Sequence, residues 1–162
     1  MAIIYCDMDG VLADFKTAAV RTTGMSINKW MNIPSSKEKW SLIKKKKDFW
    51  STLPWMPGGK QLWSYISKHD PHILSAYVEE SFDPNCIPGK TAWLRKNTGL
   101  SNRSKINLVR RKDKKLFAKR GKPSILIDDY EKNVRDFINA GGQAIHHTNT
   151  SKTISQLKRL GF

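Results

Sequence analysis

Short apolar runs alternate with helical patterns along most of the chain. The runs have the length of buried strands and span residues 3–6, 72–74, 106–109, 124–127 and 143–145. Strands that alternate with helices are typical of a parallel sheet with helices on both faces. The pattern therefore predicts an α/β fold with a Rossmann-like, five-stranded parallel core.

The helical patterns between these runs are marked by apolar residues at helical spacing. They comprise Leu62 and Ile66; Trp93 and Leu94 after Pro88-Gly89; Val134, Phe137 and Ile138; and Ile154, Leu157 and Leu160. Gly141-Gly142 is predicted to end the third of these helices, and Ser151 to cap the last one.

Residues 16–57 interrupt the alternation. A capping box from Ser35 to Glu38 starts a helical pattern that continues through Trp40 and Ile43. Ligands of open parallel sheets bind beyond the carboxyl ends of the strands, so an insertion after the first strand would cover that edge. We predict a single domain, 1–162, with a core of 1–15 and 58–162 and a small helical cap, 16–57.

The charge balance favours anionic partners. The 162 residues include 29 Lys and Arg against 14 Asp and Glu, a formal net charge of +15. Phosphate esters, nucleotides and nucleic acids are the partner classes that such a chain attracts. Two cysteines make no disulfide framework, and no apolar run is long enough to span a bilayer. We expect a cytoplasmic protein with no membrane partner; the sequence predicts no oligomeric state.

Acidic residues follow two of the apolar runs. Asp7 and Asp9 follow the first run, and Asp128 and Asp129 close the fourth. Parallel strands end at one edge of the sheet, so these carboxylates are expected to converge. Converging carboxylates repel one another unless a cation lies between them, and oxygen ligands suit Mg²⁺. The sequence therefore predicts a magnesium site.

Each of these motifs has an alternative interpretation. Asp-x-Asp-Gly is also a turn sequence, and an Asp pair before Glu131 is also a helix cap. Ser75 is also explained as a strand-end hydroxyl with no role, and the lysines after the third run, Lys112, Lys114 and Lys115, as part of a solvated face. Their joint occurrence in this order, each after an apolar run, favours a phosphate-binding active site.

The motifs resemble those of the haloacid dehalogenase-like (HAD) superfamily. Four elements occur in the order of that family: Asp7-Met-Asp9-Gly-Val11, Ser75, a downstream lysine and Asp128-Asp129. Within the superfamily the chain resembles the 5'(3')-deoxyribonucleotidases most. That similarity also covers the segments 48–58, with Asp-Phe-Trp, Leu-Pro and Pro-Gly, and 90–94, Lys-Thr-Ala-Trp-Leu.

This resemblance implies roles at the reacting centre. Asp7 would be the nucleophile that forms an aspartyl-phosphate. Asp9 would be the general acid and then the base, and its backbone carbonyl would help to bind Mg²⁺. Asp129 would bind the metal directly with Asp128 close by, and Ser75 would hold a phosphate oxygen.

The resemblance also implies contacts around that centre. Lys114 fits the position of the family's lysine best, while Lys115 and Lys119 stay open as alternatives. Lys90 would add positive charge near the phosphate, and Phe15 would contact the nucleoside. One departure is Ala76, which follows Ser75 where the family has a second hydroxyl residue.

These features predict a Mg²⁺-dependent phosphomonoesterase that hydrolyses (deoxy)nucleoside monophosphates. A polynucleotide 3'-end phosphatase is one alternative, because the lysines at 44–47 add to an already large positive charge. A second alternative is a nucleic-acid-binding protein built on an inactive HAD-like core.

Overall fold

A five-stranded parallel sheet forms the centre of the fold. The computed structural model describes residues 2–119 and 122–162. Within them the sheet consists of β1 (Ile3–Cys6), β2 (His72–Ala76), β3 (Ile106–Val109), β4 (Ser124–Asp128) and β5 (Gln143–His146). The strand order is β3-β2-β1-β4-β5, and every adjacent pair is parallel. The predicted Rossmann-like α/β fold, with helices on both faces of the sheet, is confirmed.

Helices connect the strands. They are α1 (Phe15–Thr23), α2 (Ile27–Met31), α3 (Ser36–Lys44), α4 (Gly59–Ile66), α5 (Cys86–Thr98), α6 (Glu131–Asn139) and α7 (Thr150–Arg159). Short 3₁₀ helices span Trp50–Thr52, Ser67–His69 and Arg103–Lys105, and a longer one spans Arg111–Lys119. Within the described ranges, none of the helices has the length and apolar character needed to cross a membrane.

Two helix caps test the sequence patterns. The Ser35 side chain accepts a hydrogen bond from the backbone N–H of Glu38, as the capping box predicts. The prediction that Ser151 caps α7 is wrong, because Asn149 is the N-cap and its side chain accepts from the backbone N–H of Lys152. Ser151 lies in the first turn instead, two residues after the N-cap.

The described chain divides into two compact units. One comprises Met1–Ala13, Trp55–Ala76 and Asn102–Phe162, and the other comprises Asp14–Pro54 and Tyr77–Ser101. The sequence pattern predicts that residues 77–101 belong to the core, whereas the structure groups them with the segment predicted as the cap. The assignment of core and cap to these units stays a prediction.

The first unit contains the sheet. One face of the sheet packs in a cluster of buried side chains: Tyr5, Leu74, Phe117, Ala118, Leu126 and Phe137. β1 is the central strand, and Ile4 and Cys6 have no exposed surface. A central strand buried on both faces is fixed firmly, which gives the residues that follow it a defined position.

Long-range contacts hold the second unit together. The indole N–H of Trp93 donates to the carbonyl of Leu53 at 2.7 Å, and that of Trp50 donates to Asp83 Oδ2 at 2.8 Å. A Cβ atom on Gly89 would lie 2.5 Å from Trp50 Cβ, so α5 approaches the 3₁₀ helix at Trp50–Thr52 closely. These contacts explain why residues 77–101 belong to this unit.

Candidate active site

The ends of β1 and β4 place two carboxylates side by side. Cys6 is paired with Ile127 in the parallel register, so Asp7 and Asp128 are the next residues on neighbouring strands. The backbone N–H of Asp7 donates to the carbonyl of Ile127 at 2.9 Å, which extends the pairing by one residue. Both side chains are buried. The register of the sheet therefore fixes their separation.

A third carboxylate, that of Asp129, joins this pair. Asp7, Asp128 and Asp129 each offer one oxygen atom, and these atoms all lie within 4.8 Å of one another. Among the residues that the structure describes, the Asp9 side chain is not part of this group, and the resemblance gave Asp9 a metal contact through its backbone carbonyl only. An all-oxygen set of this kind fits a hard divalent cation such as Mg²⁺.

A tight turn carries the chain past this cluster. The backbone N–H groups of Leu12 and Ala13 both donate to the carbonyl of Met8 at 2.9 Å. Gly10 has a φ of +81°, and a Cβ atom there would lie 2.1 Å from Asp129 Oδ2. Gly10 is therefore needed for both its backbone conformation and its lack of a side chain. Asp9 lies half-buried in the same turn.

Lys114 is the lysine that the structure brings to the carboxylates. Its Nζ lies 2.7 Å from Asp128 Oδ2 and 3.1 Å from Asp7 Oδ1, and the residue is 2% exposed. Lys115 and Lys119, the two alternatives, are exposed. Lys114 thus has the position that the sequence analysis preferred, while its role in phosphate binding stays a prediction.

Asn133 is a site residue that the sequence analysis missed. Its amide N–H donates to Asp128 Oδ2 at 3.1 Å, and the backbone N–H of Tyr130 donates to Asp128 Oδ1 at 2.9 Å. Asn133 precedes Phe137 by four residues and therefore lies on the buried face of α6. The sequence signal that could have identified Asn133 is a polar residue at a position of the helix face that is otherwise apolar.

Burial and mutual repulsion perturb the titration of the cluster. Burial, with the neighbouring charge of Asp7, raises the pKa of Asp128 to about 6 and that of Asp129 to about 7. Burial alone would lower the pKa of Lys114, but the charges of Asp7 and Asp128 more than offset this and raise it. The lysine is therefore a fixed cation, while the carboxylates hold more negative charge than one lysine neutralises.

Two histidines support the backbone of the acidic pair. The backbone N–H of His147 donates to the carbonyl of Asp128 at 2.8 Å, and Nε2 of His146 lies 3.0 Å from the carbonyl oxygen of Asp129. Nδ1 of His147 lies 2.7 Å from Thr153 Oγ1. Burial, followed by the nearby His146, lowers the pKa of His147, so its ring is neutral near pH 7.

Ser75 lies near the carboxyl end of β2, beside the central strand. Cys6 pairs with Ile73, so Ser75 lies two residues further along β2, at the edge of the sheet where Asp7 follows β1. The side chain is 1% exposed. This placement agrees with the expected edge, and the contact of Ser75 with a phosphate oxygen stays a prediction.

Phe15 and Lys90 both belong to the second unit. The Phe15 ring stacks on Trp50 with centroids 5.4 Å apart, within an aromatic cluster that also includes Trp30, Trp40 and Phe49. The Lys90 Nζ lies 5.3 Å from the centroid of the Trp50 ring, and the residue is 1% exposed. Their predicted contacts with a nucleoside and a phosphate stay predictions.

Comparisons with known proteins establish the class of fold. No family model and no curated protein matches the chain. Among solved structures, an L-2-haloacid dehalogenase from Xanthobacter autotrophicus matches with a TM-score of 0.58 and 12% identity, over 100% of this chain and 84% of that one. A HAD-family enzyme from Bacteroides thetaiotaomicron, in complex with magnesium and inorganic phosphate, matches with a TM-score of 0.53 and 15% identity, over 97% and 98%. The chain therefore has the fold of HAD-family hydrolases.

A third solved structure has a similar fold. A HAD hydrolase of family IA, variant 3, from Entamoeba histolytica matches with a TM-score of 0.51 and 15% identity, over 96% of this chain and 89% of that one. The similarity of fold thus extends over nearly the whole chain. At such identities the similarity concerns the fold alone.

Proposed function

We propose that the protein is a Mg²⁺-dependent phosphomonoesterase that hydrolyses (deoxy)nucleoside monophosphates through an aspartyl-phosphate on Asp7. The observation that carries this proposal is the convergence of Asp7, Asp128 and Asp129 on one point beside the buried Lys114. Buried carboxylates that repel one another destabilise a fold, so their assembly indicates a functional demand for them.

Asp7 is suited to attack phosphorus. Its Oδ1 accepts hydrogen bonds from the backbone N–H of Met8 at 2.8 Å and lies 3.1 Å from Lys114 Nζ. These two donors fix the rotamer of the side chain. A carboxylate that is oriented in advance can form a covalent intermediate, which splits hydrolysis into two easier steps.

Asp9 is suited to transfer the proton. It lies two residues after Asp7 in the turn that Gly10 permits, at the same end of β1. In the first step it would protonate the leaving oxygen, and in the second it would accept a proton from the attacking water. The carboxyl group then returns to its starting protonation state at the end of the cycle.

The donor set fits Mg²⁺. Asp7 and Asp129 would hold the ion through carboxylate oxygens and Asp9 through its carbonyl, with Asp128 close by. When bound, the ion would offset the negative charge of the phosphate oxygens, which is the main demand of phosphoryl transfer. Lys114 would offset the charge from the other side, and Ser75 would donate a hydrogen bond to a phosphate oxygen.

The choice of a nucleotide substrate rests on the resemblance and on aromatic surface. Phe15 and Trp40 are only half-buried members of the aromatic cluster in the second unit, and aromatic faces stack well on bases. Both features support a nucleoside monophosphate as the substrate. The charge of +15 supports a phosphate ester in general.

A dehalogenase among the similar structures suggests a competing reaction. A carboxylate nucleophile can also displace a halide from carbon, and one L-2-haloacid dehalogenase structure has chloropropionic acid covalently bound. The convergence of two further carboxylates on Asp7 favours phosphoryl transfer, because a cation is then required that a halide displacement would not use. A 2-chloropropionate assay separates the two reactions.

The test compares wild type with Asp7→Asn. Hydrolysis of p-nitrophenyl phosphate and of a panel of 3'- and 5'-nucleoside monophosphates is measured with Mg²⁺ and with EDTA. We expect turnover that requires Mg²⁺ and falls by about three orders of magnitude or more in Asp7→Asn. Asp136→Asn, a carboxylate on α6 paired with Lys132, is the matched control and should keep full activity.

Three outcomes would overturn the proposal. Unchanged turnover in Asp7→Asn would remove Asp7 as the nucleophile. Release of chloride from 2-chloropropionate without phosphatase activity would make the protein a dehalogenase. Salt-dependent nucleic-acid binding with no Mg²⁺-dependent turnover on any phosphate ester would favour the binding protein on an inactive core.

A further inference from the structure

The 3₁₀ helix Arg111–Lys119, here called the basic segment, has one buried and four exposed basic side chains. It contains five basic residues and one acidic residue. Lys114 points into the candidate site, whereas the other basic side chains are exposed: Arg111, Lys112, Lys115 and Lys119. Within the described residues, neither Lys112 nor Lys119 has an ion-pair partner. Lys112 and Lys119 are therefore available to an anion from solution.

Arg111 is held against an exposed aromatic ring. Its Cζ lies over the Tyr130 ring, 4.9 Å from the centroid, and Tyr130 is 45% exposed. A guanidinium group over a ring keeps its N–H donors at its edge, and it is more weakly hydrated than an ammonium group. The pair thus presents phosphate donors and aromatic surface at one point.

This pair lies directly beside the carboxylates. Tyr130 follows Asp129 in the chain, and its backbone N–H donates to Asp128 Oδ1 at 2.9 Å. Arg111 lies three residues before Lys114, which binds Asp128 at 2.7 Å. Two contacts therefore join the basic segment to the end of β4. The Lys114–Asp128 ion pair is buried in the site, and the Arg111–Tyr130 contact lies at the surface.

Exposed cations beside an aromatic side chain are how proteins bind single strands without sequence preference. Phosphate contacts supply affinity that depends on salt, and base stacking supplies about 1–3 kcal/mol per base. A mononucleotide whose phosphate is at the carboxylates has no further phosphate to offer the exposed cations. A strand has one phosphate at every nucleotide, so several exposed cations on one segment fit a strand better.

We propose that the Arg111–Tyr130 pair, with Lys112 and Lys115, forms a binding surface for single-stranded nucleic acid next to the site. The nucleoside monophosphate unit that is hydrolysed is then the terminal nucleotide of a strand. The catalytic part of this inference rests on the proposed function, whereas the binding part does not. The surface lies wholly in the unit that contains the sheet.

The first experiment measures binding without catalysis. Fluorescence anisotropy of a labelled oligothymidylate that carries no terminal phosphate is titrated with each variant over a range of salt concentrations. We expect Arg111→Ala and Tyr130→Leu to raise Kd about tenfold, since one stacked base or one arginine contact is worth about 1.4 kcal/mol. The slope of log Kd against log salt should fall by about 0.7 in Arg111→Ala.

Matched variants distinguish binding at this surface from a general effect of the protein's positive charge. Arg103→Ala removes an exposed arginine before β3, at the opposite edge of the sheet, and should bind within twofold of wild type. Tyr130→Phe keeps the ring and should do the same. Equal Kd values for Arg111→Ala and Arg103→Ala would overturn the binding surface.

The second experiment measures catalysis as a ratio. The kcat/KM for an oligonucleotide with a terminal phosphate, tested at the 3' and the 5' end, is divided by that for p-nitrophenyl phosphate. Arg111→Ala should lower this ratio about tenfold, and a ratio equal to that of wild type would overturn the substrate assignment. Strand binding that depends on Arg111, without turnover of any phosphate ester, would refute the proposed function and leave the binding surface confirmed.

Discussion

Replacement of Lys114 by Met tests the electrostatic description of the site directly. Methionine keeps most of the aliphatic length of the side chain but removes the charge. The carboxylates of Asp7 and Asp128 then lose the cation that lies 3.1 Å and 2.7 Å from them. We expect a strongly destabilised protein and the loss of the proposed phosphatase activity.

The magnitude follows from the burial of the group. Removal of one partner from a buried ion pair costs about 3–5 kcal/mol, because the other charge is left uncompensated. At about 2–4 °C per kcal/mol for a chain of this size, Tm should fall by roughly 10 °C. The exposed Lys115 is the matched control, and Lys115→Met should change the free energy of unfolding by less than about 0.5 kcal/mol.

The pH dependence gives a sharper test than the size of the effect. Asp128 already has a pKa of about 6, and without Lys114 it should be higher still. A carboxyl group whose folded-state pKa is raised stabilises the fold most at low pH, and loses that contribution as pH rises through the raised value. The deficit of Lys114→Met should therefore be smaller at pH 5 than at pH 8.

Urea denaturation of both variants and wild type, at pH 5 and pH 8 without divalent ions, measures these differences. Equal destabilisation by Lys114→Met and Lys115→Met would refute the buried ion pairs. A deficit that is the same at both pH values would refute the coupling of Lys114 to the titration of the carboxylates.

Three further outcomes follow from the same geometry. Because the pKa of Asp129 is raised to about 7, wild type without divalent ions should lose stability from pH 5 to pH 8. Mg²⁺ should therefore raise Tm more at pH 8 than at pH 5, and an equal rise in Tm at both pH values would contradict this. Asn133→Ala removes a donor to a buried carboxylate and should lower the free energy of unfolding by about 1–3 kcal/mol, measured in urea. Gly10→Ala should lower kcat about 100-fold by displacing Asp129, whereas Gly24→Ala, also at positive φ but with open space around it, should leave kcat unchanged.

The pattern of apolar runs predicted the sheet because the signal is local. Each run predicted as a strand is a strand, and three of the four acidic side chains expected to converge do meet at one edge, whereas the Asp9 side chain does not join them. That convergence needs only the rule that parallel strands end on the same side. It therefore holds without knowledge of the loops, and Asp7, Asp128 and Asp129 were found from the sequence alone.

The choice among the lysines depended on a geometry that the sequence pattern did not reveal. In a 3₁₀ helix residues three apart share a face, so Lys114 lies on the face of Phe117, which packs in the core of the first unit. Lys115 is thereby directed outward. A run of basic residues does not show whether its helix has three residues per turn. The sequence therefore favoured Lys114 but did not exclude Lys115 or Lys119.

The grouping of residues 77–101 depended on contacts across the chain. Trp50 binds Asp83 over 33 positions, and Trp93 binds Leu53 over 40. Local periodicity predicts that α5 exists but has no information on what it packs against. Asn133 was missed for a related reason, since a polar residue on a buried helix face has a function only when its distant partner is known.

The site has the opposite charge to the rest of the molecule, and this constrains the order in which ligands can bind. Three carboxylates converge near one buried lysine, so at neutral pH the cluster is negative although the chain as a whole carries +15. A phosphate dianion that approaches this cluster without another cation would meet net repulsion at close range, where the low dielectric makes it strong. Protonation of Asp129, whose pKa is about 7, only partly relieves it. Phosphate affinity should therefore depend on a divalent ion, and should weaken in EDTA more than the loss of one surface cation would explain.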